Sequence, residues 1–172
     1  MDSMKNYQWL WVFALPVLWG GCATAGHVAK STAPSNAMKA QLNDFAILGG
    51  ASLTANGLKL VVSGDSLFKK GSSSLSKDGV AKVDALAATL SKYPKDSVTA
   101  MVYTDSTGTD AKNLKVSQRR ADHIKKELVK KGIPVDLVTV MGKGDADPVA
   151  GNDTEDGRAQ NRRAEFDIAS SK

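Results

Sequence analysis

The chain has a single cysteine, Cys22, in 172 residues, so no internal disulfide can form. Its two histidines, His27 and His123, are far apart, and no cysteine follows Cys22; no zinc-ligand spacing exists and no metal is expected. Glycine and proline, at 15 and 5 residues, are not in excess, which excludes collagen-like and wholly disordered chains. The apolar run from Trp9 to Trp19 has 11 residues, well short of the ~20 that a membrane-spanning helix needs. Catalytic signatures are missing too. No Gly-x-Ser-x-Gly nucleophile motif is present, and Gly142-Lys143-Gly144 lacks the upstream glycine of a phosphate-binding loop. Asp145 and Asp147 resemble paired acids for glycan cleavage only in spacing, since they sit in a turn beside Pro148. Neither an enzyme nor a cofactor is expected.

What is present is an ordinary globular composition, 42% apolar and 24% charged, long enough for one well-cored domain and too short for two. The formal charge is +5, which invites nucleic acid, an anionic membrane surface or an acidic polymer as partner. Residues 1–21 read as an export signal: Lys5 supplies the positive start, the apolar stretch follows, and small residues close it. Export makes nucleic acid the least expected partner. Gly20-Gly21-Cys22 resembles a bacterial lipobox, in which Cys22 becomes the acylated N-terminus, although Trp19 replaces the usual aliphatic residue. Ala23-Thr24-Ala25 offers ordinary cleavage after Ala25 as the alternative, giving a soluble periplasmic product. If Cys22 is lipidated, Ala23 after it resembles the outer-membrane sorting pattern.

Residues 22–49 are rich in Ala, Ser, Thr and Asn and poor in large apolar groups, and read as a flexible tether, with a short helix possible over 38–47. The folded domain is expected over 50–172. Residues 52–63 read as a β-hairpin turning at Asn56-Gly57, and 66–76 as a loop. Val80, Val83, Leu86, Ala87 and Leu90 predict a helix over 78–92, and Ser97 to Tyr103 a strand. Leu114, Ser117, Ala121, Ile124 and Leu128 predict a second helix over 113–131, capped by Gly132. Residues 138–141 form a short strand, 145–156 a loop, and the alternation of Ala164, Phe166 and Ile168 with charged neighbours a last strand. The fold class is α/β (α+β): a two-layer sandwich with helices packed on one mixed sheet.

Asp105 falls just past the end of the strand 97–103, in the turn Thr104-Asp105-Ser106-Thr107-Gly108, where Gly108 can take positive φ. Arg120 lies in the next helix, which can return across the sheet and bring it beside the strand end. A carboxylate and a guanidinium flanking one shallow site suit a ligand that carries both an ammonium and a carboxylate. Asn113 adds a neutral donor and acceptor near the helix start. The alternative is that Asp105 and Arg120 only pair with each other, or that Asp105 only shapes its turn.

These blocks carry a family resemblance. Thr104 to Gly108, Asn113, Ser117, Arg120-Ala121, Gly132-Ile133, Gly142-x-Gly144, Pro148, Asn152-x-Thr154 and Gly157-Arg158-Ala159-Gln160-Asn161-Arg162-Arg163 resemble the OmpA-like C-terminal domain, the module of peptidoglycan-associated lipoproteins and flagellar stator proteins. The similarity runs from about Leu58 to Ile168. It implies non-covalent binding of peptidoglycan through the diaminopimelate of its stem peptide. On that resemblance Asp105 takes the ligand's ammonium and Arg120 its carboxylate, with Asn113, Arg162 and Thr104 in the pocket, while Arg158 and Arg163 are structural or surface charges. It further implies an outer-membrane lipoprotein whose domain faces the periplasm and ties the envelope to the wall.

Tyr103, Lys112 and Lys143 depart from the family pattern, which usually has His before Thr-Asp, often an aromatic before the Asn, and an aromatic or small residue between the two glycines. A second reading keeps the fold for an envelope protein-interaction adaptor in a secretion, stator or regulatory complex. Lys112, Lys115, Arg119, Arg120, Lys125, Lys126, Lys130 and Lys131 also make the second helix strongly basic. That is either a solvated face or an attraction to anionic glycan or lipid.

Overall fold

Alternating apolar residues in three segments build the centre of the sheet. In the computed structural model, which describes residues 36–46, 48–55 and 57–170, strand β2 (Gly57–Ser63) pairs antiparallel with β5 (Arg163–Ala169), and β5 pairs antiparallel with β3 (Ser97–Tyr103). The hairpin partner β1 (Gly50–Thr54) forms one edge, and β4 (Val138–Gly144), parallel to β3, forms the other, giving the order β1-β2-β5-β3-β4. Register lines the core-facing residues up in rows across the strands: Leu58–Ile168–Val98–Val138, Leu60–Phe166–Ala100–Val140, and Val62–Ala164–Val102–Gly142. The middle row sets bulky Phe166 beside small Ala100, and the last row shrinks to glycine at β4.

Helices cover this face. Helix α3 (Lys77–Leu90) is capped by Ser76, whose side chain accepts from the Gly79 N–H, and buries Val83, Leu86 and Leu90. Helix α4 (Asp110–Lys130) is capped by Thr109 and buries Ser117, Ala121, Ile124 and Leu128 of the expected series, whereas Leu114 is exposed and its neighbour Asn113 takes the buried place. It lies across β3 and β4, as a helix connecting two parallel strands must. The two-layer arrangement and the mixed sheet are those expected from the sequence.

Two α-helices go beyond the expected elements, and a third matches the short one expected over 38–47. The short α2 (Gly64–Leu67) follows β2 directly, and α5 (Glu155–Asn161) occupies the end of the expected loop and continues past it. Helix α1 (Asn36–Ala46) lies inside the segment read as tether, and it is packed rather than free. Phe45 is fully buried and stacks on Tyr93 with centroids 6.2 Å apart. The carboxylate of Asp44 accepts from the Tyr93 hydroxyl at 2.9 Å and from Lys92 at 3.2 Å, and Gln41 donates to Asp96. Helix α1 therefore belongs to the folded part although it precedes the boundary expected at 50, because one aromatic side chain finds a socket there. The export signal 1–21, Cys22, the remainder of the tether up to 35, and Asn56 of the hairpin turn lie outside the described residues. Phe45→Ala is expected to cost about 3 kcal/mol by emptying that socket, readable as a lower urea midpoint. An unchanged midpoint would mean that α1 contributes nothing to stability.

Candidate functional site

The turn after β3 is built around the backbone. Gly108 takes φ +106, a region L side chains rarely enter, and closes the turn in the expected place. The Asp105 carboxylate accepts the Thr107 N–H at 2.9 Å, and the Asn113 amide donates to the Asp105 carbonyl at 3.3 Å. The second carboxylate oxygen of Asp105 therefore points across to α5, where it accepts from Arg162 at 2.7 Å.

Arg162 is the hub of the site. It donates to both oxygens of Asp65 at 2.8–3.1 Å, to Asp105, and to Glu155 at 2.8 Å. Asp65 comes from α2, Asp105 from the turn after β3, and Glu155 and Arg162 from the two ends of α5, so one guanidinium ties three parts of the chain together. Donation to Asp65, and then to Asp105 and Glu155, holds the Arg162 guanidinium above the usual arginine range, against the effect of burial. Burial pushes the Asp105 carboxyl up, but Arg162 and the Thr107 N–H outweigh it and hold the group below the usual carboxylate range. Glu155 is held low by Arg162 and then Arg158.

Arg120, in the third turn of α4, faces the same cleft in a different state. Its Nε and one terminal nitrogen donate to the Ser72 carbonyl at 3.1 and 3.0 Å, and its guanidinium lies 4.9 Å from the Phe68 ring centre. Two of its five N–H donors are thus used, on a neutral acceptor, and it forms no salt bridge with a described carboxylate. Burial lowers its pKa, with Asp65 and Asp105 pulling the other way. Asp105 and Arg120 are not each other's partners: the acid is held by Arg162 and the base by a backbone carbonyl.

Together these groups line a cleft of about 750 Å³. Its walls carry Asp65, Asp105 and Glu155 against Lys69, Lys70, Arg120, Arg158 and Arg162, with Phe68 and Thr107 between them. The lining thus carries both signs of charge, with cations in excess of carboxylates. Among the described residues no group of three or more His, Cys, Asp or Glu side chains is arranged to hold a metal ion; the carboxylates that converge do so on Arg162.

Of the expected site residues, Asp105, Arg120 and Arg162 meet in this cleft. Asn113 and Thr104 do not line it. Both are buried, Asn113 bracing the turn from behind and Thr104 donating its N–H to the Gly144 carbonyl of β4, with its hydroxyl making no hydrogen bond. Arg158, expected to be structural or on the surface, is on the cleft wall. Arg163 is structural: it stacks 3.8 Å over Tyr103 and pairs with Glu165 at 2.7 Å. Asp65, Phe68, Lys69, Lys70 and Glu155 went unread in the sequence. A signal for Glu155 exists, because Thr154-Glu155-Asp156 is a capping residue followed by first-turn acids, and the Thr154 hydroxyl indeed accepts from the Gly157 N–H.

The turn and α5 are coupled by amides. The Asn152 side-chain oxygen accepts from the Ser106 N–H at 3.2 Å and from the Asn161 amide at 2.9 Å. Asn161, almost fully buried, also accepts from the N–H groups of Val149 and Ala150 and donates to the Ala150 carbonyl. The Gly-Arg-Ala-Gln-Asn-Arg-Arg block thus spends its asparagine on holding the loop that positions Asp105 and its first following arginine on the carboxylates.

Among known proteins, the chain is 34% identical over 133 residues to the probable lipoprotein YiaD of Escherichia coli (strain K12), a match that covers 76% of this chain and 61% of that relative's length. The solved structure of the cell wall anchor of the T6SS from Pseudomonas aeruginosa superposes with a TM-score of 0.67 at 26% identity, covering 78% of this chain and 97% of the other. The peptidoglycan-associated lipoprotein from Burkholderia pseudomallei gives a TM-score of 0.56 at 28% identity, covering 62% and 84%. The model of the OmpA family matches residues 67–162, which is more than half of the chain and takes in Asp105, Arg120 and Arg162 from the cleft; the chain belongs to the OmpA family.

Proposed function

We propose that this domain binds peptidoglycan without covalent chemistry, through the diaminopimelate of the stem peptide, and so fastens the envelope to the wall. The observation that carries the reading is the pairing state of the cleft. Arg120 keeps three N–H donors unused in the cleft that also holds the half-buried carboxylate of Asp105, which is already held ionised. An amino acid end-group brings the missing partners, a carboxylate for Arg120 and an ammonium for Asp105, with Asp65 and Glu155 close by. Arg162 holds the acids in place, and Asn113 and Thr104 act from behind by fixing the turn. The names of two similar structures, a cell wall anchor and a peptidoglycan-associated lipoprotein, support the same ligand. In this reading Cys22 is acylated and holds the protein at the outer membrane, with the domain in the periplasm. No step of bond making or breaking is involved.

Co-sedimentation with purified diaminopimelate-type sacculi tests this. The wild-type chain is expected to pellet, and Asp105→Ala and Arg120→Ala each to weaken binding by at least about tenfold, the worth of one lost charge-assisted contact. Added salt should weaken the wild type, since the cleft is open to solvent. If the folded double variant pellets as well as the wild type, the cleft is not the wall site. A folded wild-type chain that stays in solution would favour the adaptor reading instead.

A further inference from the structure

Helix α4 carries a second charged feature on the side away from the core. Lys112, Lys115, Arg119, Lys126 and Lys130 are all exposed, and their spacing places them in one row along the outward face. The row runs about 27 Å at 1.5 Å per residue. Among the described residues Lys130 pairs with Glu127 at 3.3 Å, and the other four side chains have no hydrogen-bond or ion-pair partner. Lys112 and Lys115, Lys115 and Arg119, and Lys126 and Lys130 are like-charge neighbours at helical spacing, an arrangement that opposes helix formation where an interleaved acid would support it. The row is therefore kept against local stability.

We infer that this ridge is a second contact for the wall, taking the free carboxylates of peptidoglycan stems that neighbour the one seated in the cleft. Only the identity of the polymer rests on the reading of the cleft. Two features favour a chain-like polyanion over an anionic bilayer. The row is one side chain wide and flanked by acids, Asp122 on one side and Glu127 on the other, which a flat negative surface would have to approach as well. It is also continuous with the cleft mouth. Arg120 and His123, on the flank of the same helix, hold the carbonyls of Ser72 and Ser73. That grip ties to α4 the loop whose exposed Lys69 and Lys70 line the cleft. A polymer presenting anions at intervals can thus be engaged at both places at once, and each weak contact raises the effective concentration for the other.

The test compares the full-length chain with the variant Lys112→Gln, Lys115→Gln, Arg119→Gln, Lys126→Gln on three probes: a soluble disaccharide-tetrapeptide fragment of the wall, intact sacculi, and vesicles containing phosphatidylglycerol. The fragment reports on the cleft alone, and its Kd is expected to stay within about twofold. Binding to sacculi at low ionic strength is expected to fall by roughly tenfold, with a shallower salt dependence. Equal binding of both chains to sacculi overturns the proposal. So does a loss confined to the vesicles, which would assign the ridge to a membrane. If the wild type ignores the fragment yet binds sacculi in a ridge-dependent way, the cleft reading fails and the ridge stands.

Discussion

Arg162→Ala is expected to lose wall binding and to destabilise the domain by about 2 kcal/mol at neutral pH. The loss follows from what remains: Asp65, Asp105 and Glu155 converge on a vacated centre, and leaving buried charge uncompensated costs more than the pair contributes. The figure is set below that for a fully buried pair because Asp65 and Glu155 are 54% and 66% exposed and can turn to water. Asp105, at 14%, cannot. The pH dependence identifies the cause. The carboxyls of Asp105 and Glu155 sit below their usual range in the folded chain, so the stability they contribute is present above the unfolded value near 4 and is lost as pH falls through the folded one. The gap between wild type and variant should therefore be widest near pH 7 and close below about pH 4. Denaturant midpoints from pH 3 to 8 measure it, and a gap that is flat with pH would show that Arg162 acts by packing alone. Arg162→Lys should recover part of the stability but little of the binding, since an ammonium cannot hold three carboxylates in a fixed fork.

Gly142→Ala is expected to cost about 3 kcal/mol, although it adds one methyl and no charge. The added Cβ would lie 2.2 Å from the backbone nitrogen of Gln118 and 2.7 Å from the carbonyl carbon of Ser117. These are helix backbone atoms, which cannot rotate away, so α4 as a whole must retreat from β4 by more than about 1 Å to reach ordinary contact. That retreat stretches the bonds fixing the helix there, from the Gly142 N–H to the Gln118 side chain at 2.8 Å and from the Gly144 N–H to the Ser117 hydroxyl at 2.9 Å. Arg120 is two residues further along. The variant should hence bind the soluble wall fragment more weakly, although residue 142 does not line the cleft. Urea unfolding and fragment titration on the same sample read both effects. A variant as stable as the wild type would mean that the helix seat is softer than its contacts imply.

Both expectations rest on how distant segments meet, and here sequence and structure divide. The elements were legible where a local period was strong. Alternation of Ala164, Phe166 and Ile168 marks a strand, although Arg163 and Glu165 on its other face are buried too, and the spacing of Ser117, Ala121, Ile124 and Leu128 marks the buried stripe of α4. Helix α1 was legible as a short helix over 38–47 but its packing was not, because Phe45 is a single large apolar anchor in a polar stretch and its socket is supplied by Tyr93, nearly fifty residues on. Helix α5 was masked by the turn-rich composition around it, despite its capping threonine.

The sequence by itself determined the two-layer class, the place of Asp105 beyond a strand, the position of Arg120 on the following helix and the ridge of cations on that helix, since each depends on neighbours a few positions apart. Tertiary structure alone decided that β5 enters between β2 and β3, which carries the Asn-Arg-Arg block to the mouth of the cleft. It also decided that Asp65 meets Arg162 across 97 residues, and that Arg120 is left with donors to spare. Strand order and the company of a buried charge are settled by which surfaces must be covered and which ions must be compensated, and neither condition is written in local spacing.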